Sequence, residues 1–117
     1  MRTLRINRGT TFNITVEYLT DGAPTTLVGA TLYFTMKAVE YDNDILDTTA
    51  VVQKEVTSHT NAAGGISSIV INPDDTATLI PDTYNFDIKV KNAALEVYKL
   101  CEGLIKLDGS PTNRSTG

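Results

Sequence analysis

The sequence has no tryptophan, one cysteine (Cys101) and one histidine (His59) in 117 residues. Each shortage excludes a class of function. A single cysteine closes no internal disulfide, so the fold is expected to stand without an oxidising compartment. One cysteine and one histidine cannot complete a structural zinc site, which takes four nitrogen or sulfur ligands. A Cys101/His59 nucleophilic pair can be drawn on paper. Cys101 sits within an apolar strand, however, and nothing beside it in sequence would activate the thiol. GxSxG, P-loop and GxGxxG patterns are all missing, so no enzyme activity is expected. No apolar run approaches the ~18 residues of a spanning helix. The opening MRTLRINRGTTF carries arginines but no apolar h-region, so a signal peptide is not expected. Synthesis is expected in the cytoplasm, from which the chain can be built into a particle.

Positive charge is also short. Ten Lys and Arg face fourteen Asp and Glu, for a net charge of −4 and a pI of about 4.8. That balance argues against an electrostatic grip on nucleic acid or on an anionic membrane. Arg2, Arg5 and Arg8 do cluster, and are read as the solvated face of a first strand.

What is present is period-two patterning. Hydrophobic residues make up 41% and charged residues 21%, which suits one folded domain. A chain of this length buries roughly two-thirds of its unfolded surface. In TFNITVEY, Phe12, Ile14, Val16 and Tyr18 fall on one face, and Asn13, Thr15 and Glu17 on the other. Asp21-Gly22 is a turn signal, with Pro24 closing it. TLYFTMK turns Leu32, Phe34 and Met36 inward. A strand is expected near Val51 to Val56, with Val52 and Val56 on one face and Lys54 between them. NAAGG breaks the chain, and ISSIVIN resumes it with Ile69 and Ile71 inward. YNFDIKV alternates cleanly, with Tyr84, Phe86, Ile88 and Val90 inward. The last strand, Leu95 to Leu107, is ambiguous. Either it is covered on both faces or a bulge near Gly103 switches its phase. With RTLRI this gives about seven to eight strands and no long 3.6-residue period. The expected fold is all-β, an immunoglobulin-like antiparallel β-sandwich with one short helical turn. The sandwich is expected over residues 1–107, with a polar C-terminal tail over 108–117.

The acidic pair in NPDDTATLIPDTY tests whether there is chemistry here. Asn72 suits an N-cap and Pro73 a first helical position. Asp74 and Asp75 then lie in the first turn, where the helix dipole favours negative charge. Leu79 can plug the mouth of the sandwich, Pro81 stops the helix, and Tyr84 opens the next strand, as at an immunoglobulin E–F corner. The carboxylates are therefore read as caps rather than catalysts, since a site needs a second cluster. Asp42, Asp44 and Asp47 faintly suggest a calcium loop. Asp47 and Gln53 stand where an EF-hand requires glycine and a bidentate glutamate, so that match fails and only a weak oxygen site is left open. No catalytic, cofactor-binding or metal residue is assigned, and no cofactor is expected. Tyr33, Tyr41 and Tyr98 are candidates for a sugar-binding tyrosine platform. The blander reading is that they cover strand faces. The glycosylation-like triplets at Asn13 and Asn113 are read as coincidence without a secretion signal.

The order of segments resembles small immunoglobulin-like proteins of bacteriophage tail regions, including the N-terminal domain type of upper baseplate proteins. RGTTFNITVEY followed by DGAPTTLVGATLYFTMK resembles the opening hairpin and the following strand. GGISSIVINPDDTATLIPDTYNFDIKV resembles the strand, corner and tyrosine-led strand, and YKLCEGLIKLDGSPTNRS the closing strand. Family members often carry a tyrosine-aspartate pair where this chain has Phe86-Asp87, and an acidic residue in place of Thr26. The resemblance implies a virion structural role without catalysis. It would be filled by contacts with other virion proteins in a homo-oligomer or ring. The alternatives are a host-surface glycan-binding module and a head decoration or head-fibre protein.

Overall fold

The computed structural model describes residues 2–38 and 50–109, with the side chain of Arg2 outside that description. Over these residues the chain forms β1 (Arg2–Asn7), β2 (Phe12–Glu17), β3 (Leu19–Thr20), β4 (Ala23–Pro24), β5 (Thr31–Ala38), β6 (Ala50–Val56), β7 (Ile66–Ile71), a single helical turn α1 (Pro73–Thr76), β8 (Thr83–Lys91) and β9 (Val97–Asp108). A five-stranded sheet in the order β1-β9-β8-β5-β6 faces a two-stranded sheet of β2 and β7, and β3 with β4 forms a small hairpin. The expected all-β sandwich is what the chain adopts. Every pairing is antiparallel except that of β1 with β9, which is parallel.

Alternation along the strands builds the core. Ile14 and Val16 of β2 meet Ile69 and Ile71 of β7 on one inner face. Leu32, Phe34 and Met36 of β5, and Tyr84, Phe86, Ile88 and Val90 of β8, supply the other. Phe34 and Phe86 are cross-strand neighbours with ring centroids 5.9 Å apart. Burying each ring contributes about 2–3 kcal/mol, and both belong to the core between the sheets.

The ambiguous last strand is settled by a bulge. Ile88 pairs with Cys101 but Lys89 pairs with Lys99, so Leu100 is the extra residue, three positions before Gly103. Cys101, Gly103, Ile105 and Leu107 point inward on one side of it, and Tyr98 shares the side of Val90 on the other. One extra residue in a period-two strand exchanges its faces, which is why both parities look apolar in the sequence.

Turns follow the residue chemistry. Asp21 and Gly22 both have positive φ, 52° and 82°. That is the mark of the type I′ turn, whose twist matches the flanking strands. Gly65 is required by space as well as by its φ of +74°. A Cβ there would stand 2.5 Å from the Thr25 carbonyl oxygen and 3.0 Å from that of Tyr18.

Candidate interaction surface

The acidic corner is structural. Asp75 Oδ2 accepts a 2.7 Å hydrogen bond from the Asn72 amide, so the helical turn is capped from its third residue. The same oxygen lies 2.6 Å from Nζ of Lys54, an inward-facing residue on edge strand β6. Thr76, fully buried, accepts a 2.9 Å hydrogen bond from the Gly9 amide and so holds the corner against the β1–β2 turn. Leu79 packs on the core, and its carbonyl accepts a long, 3.4 Å bond from Arg8. Arg8 is thus a half-buried brace rather than a solvated charge, whereas Arg5 is exposed beside Asp108 at 3.6 Å. Tyr84 completes the corner. Its hydroxyl donates to the Ile80 carbonyl at 2.6 Å, the bond that defines a tyrosine corner. Burial, then the neighbouring Asp82 carboxylate, raises the Tyr84 phenol above its ordinary value.

His59 ties β7 to the entry of β5, a role that its loop-like sequence does not reveal. Its Nε2 is 2.8 Å from the Ala30 carbonyl oxygen and its Nδ1 is 2.8 Å from Ser67 Oγ. A carbonyl only accepts, so Nε2 carries the proton and, in the neutral ring, Nδ1 accepts from the serine hydroxyl. Buried Ser67 is thereby satisfied. Both ring nitrogens are engaged, so neither is aimed at Cys101, which lies half-buried opposite Ile88.

The structure separates two of the three candidate platform tyrosines. Tyr33 is opposite Lys89 and Tyr98 is opposite Val90, so they leave opposite faces of the five-stranded sheet. Tyr41 lies outside the described residues, as do Asp42, Asp44, Asp47 and Asn113. Among the described residues no group of three or more His, Cys, Asp and Glu side chains is placed to hold a metal ion. No helix among them is long and apolar enough to cross a membrane.

Two surfaces stand out among the described residues. One is apolar, at the end of the sandwich that carries the β8–β9 hairpin. Leu95 at the hairpin tip is 73% exposed and holds a left-handed φ of 65°, a conformation that costs a branched side chain energy. Val97, Tyr98 and Val28 are exposed with it. Asn92 frames this tip, its side-chain oxygen accepting from the amides of Ala94 and Glu96. The other surface is the outer face of the five-stranded sheet. Residues directly opposite on neighbouring strands project to the same side, so the register lays this face out in rows. One row is Gln53, Thr35, Asp87 and Glu102; the next is Glu55, Tyr33, Lys89 and Lys99.

No protein-family model matches the chain, and no curated protein sequence does. Among solved structures, the chain is similar to the N-terminal domain of phage TP901-1 ORF48 at 11% identity and a TM-score of 0.57, over 92% of this chain and 85% of that one. A chain from a photo-crosslinking study of cell-adhesive VGSC beta subunits aligns over 95% of this chain and 93% of that one, at 11% identity and a TM-score of 0.43. The first likeness establishes a shared fold.

Proposed function

We propose that this protein is a bacteriophage virion structural component, with the tail or baseplate as its place, acting by protein–protein contact in a symmetric assembly and catalysing nothing. The observation that carries this reading is the fold shared with a phage domain along nearly the whole of both chains. The surfaces are consistent with it: an apolar hairpin end and an open sheet face suit contact with polypeptide. The acidic corner, where chemistry was most to be sought, is occupied by capping and bracing bonds.

Quantitative mass spectrometry of particles from the encoding phage, with heads and tails separated, tests the proposal. A fixed copy number in the tail fraction supports it. Recovery with heads moves the protein to decoration or a head fibre. Absence from both overturns the virion reading.

A further inference from the structure

The outer face of the five-stranded sheet carries an arrangement that is unfavourable within one chain. Asp87 is directly opposite Glu102, and in the adjacent row Lys89 is directly opposite Lys99. Like charges directly opposite destabilise a sheet. Lys99 and Glu102 relieve each other diagonally at 3.0 Å. The side chains of Asp87 and Lys89 have no ion pair or hydrogen bond among the described residues. An acidic row and a basic row thus lie side by side.

We propose that this face binds a second copy of the same chain, as a two-fold dimer. The axis lies parallel to the rows and midway between the acidic and the basic one. Such an axis turns each row onto the other, so Asp87 meets Lys89 of the second copy and Glu102 meets its Lys99. The symmetry supplies each contact twice, as an isologous interface must. Rows on one face of a strand are about 6.8 Å apart, so each charge lies about 3.4 Å to one side of the axis. Long lysine side chains from one sheet then reach carboxylates on another packed about 10 Å away.

The flanking rows obey the same symmetry. On one side Lys37, Asn85 and Leu104 stand in register, and on the other Thr31, Lys91 and Val97. The axis sets Leu104 against Val97 of the second copy, the two apolar outward residues of β9. It sets Asn85 against Lys91 and spares Lys91 any like-charged partner. Read outward along β9, Leu104, Glu102, Lys99 and Val97 run apolar, acidic, basic, apolar, which is complementary to its own reverse. Tyr33 lies in the basic row next to the axis, where it packs beside Thr35 of the other copy; tyrosine is enriched at such centres. Sheet twist makes the outer rows diverge, so the two central rows dominate. The inference rests on the contact-protein reading above, but not on the particle that holds the protein.

Charge reversal tests it on the full-length chain by sedimentation equilibrium. Asp87→Lys alone faces Lys89 of its copy, and Lys89→Glu alone faces Asp87. Each is expected to weaken self-association roughly 100-fold, because like charges juxtaposed at an interface cost several kcal/mol. An equimolar mixture of the two single variants is expected to recover a heterodimer, and the double variant D87K/K89E a homodimer. Both single variants relieve an opposed like-charge pair within their own sheet, so at concentrations low enough for every form to be monomeric, where association no longer adds to stability, their melting temperatures should equal or exceed the native value. Unfolding is thereby separated from dissociation. A native protein that is monomeric at all concentrations, single variants that dimerise like native, or a mixture that fails to associate would each overturn the dimer. None of these outcomes alters the recovery of the protein from particles, which tests the other reading.

Discussion

Lys54 on edge strand β6 is bound to Asp75 of the helical turn, Nζ to Oδ2 at 2.6 Å, with each side chain about three-quarters buried (relative exposure 22% and 24%). The pair closes the edge of the large sheet over the end of the sandwich. An inward-pointing charge on an edge strand also discourages unwanted strand addition.

Asp75 therefore matters more than its neighbour. Asp75→Ala removes a helix cap and leaves the largely buried Lys54 without its partner, and is expected to cost about 1–2 kcal/mol. Asp74→Ala, at an exposed first-turn position, is expected to cost less than about 0.5–1 kcal/mol. Urea unfolding of the two variants gives the order directly.

The tyrosine corner makes two separable contributions. Tyr84→Ala is expected to cost about 3–5 kcal/mol through the cavity it leaves. Tyr84→Phe keeps the packing and loses the bond to Ile80, for about 1–1.5 kcal/mol. The pH dependence has a definite sign. Burial and Asp82 raise the phenol above its unfolded value, so the folded state keeps its proton longer. That contribution is fully present below about pH 10, the unfolded value, and is lost as pH rises through the folded pKa. Denaturation curves from neutral to alkaline pH should show a shallower loss in Tyr84→Phe.

Gly65 and Gly22 share a positive φ but differ in surroundings. A Cβ at Gly22 meets nothing within 4 Å, whereas one at Gly65 strikes the Thr25 carbonyl. Gly22→Ala is expected to cost about 1 kcal/mol, the left-handed penalty alone. Gly65→Ala is expected to cost more than about 3 kcal/mol, since the backbone must also move. Thermal melts of the two variants separate conformational strain from collision.

Leu95 is strained where it is most exposed. Leu95→Gly is expected to raise stability by about 0.5–1 kcal/mol, because glycine adopts this φ without penalty. A gain in melting temperature fits strain retained for a contact at the hairpin tip. A loss would mean that Leu95 contributes packing to its own chain.

The sequence made the inner faces legible because they are local. Period two placed Phe12 to Tyr18, Leu32 to Met36 and Tyr84 to Val90 without any knowledge of their partners. The corner was legible for the same reason, since Asn72, Pro73, Pro81 and Tyr84 each act within a few residues. What escaped depends on pairing across the fold. His59 reads as a loop residue because its partners, Ser67 of β7 and Ala30 just before β5, lie 8 and 29 positions away. Lys54 and Asp75 meet only when β6 and the corner are assembled. The sequence leaves open whether β9 is covered on both faces or bulged near Gly103, glycine being the usual marker; the bulge falls at Leu100, where no side chain announces it. The charged rows needed the β8–β9 register, which that bulge sets.

The most direct test of a protein that works by contact is the native chain in sedimentation equilibrium across salt. A dimer held by Asp87–Lys89 and Glu102–Lys99 contacts should weaken steadily from about 0.05 M to about 0.5 M salt, as the screening length falls from ~14 Å to ~4 Å. A monomer at every concentration, or a dimer indifferent to salt, would contradict the charged face as the interface.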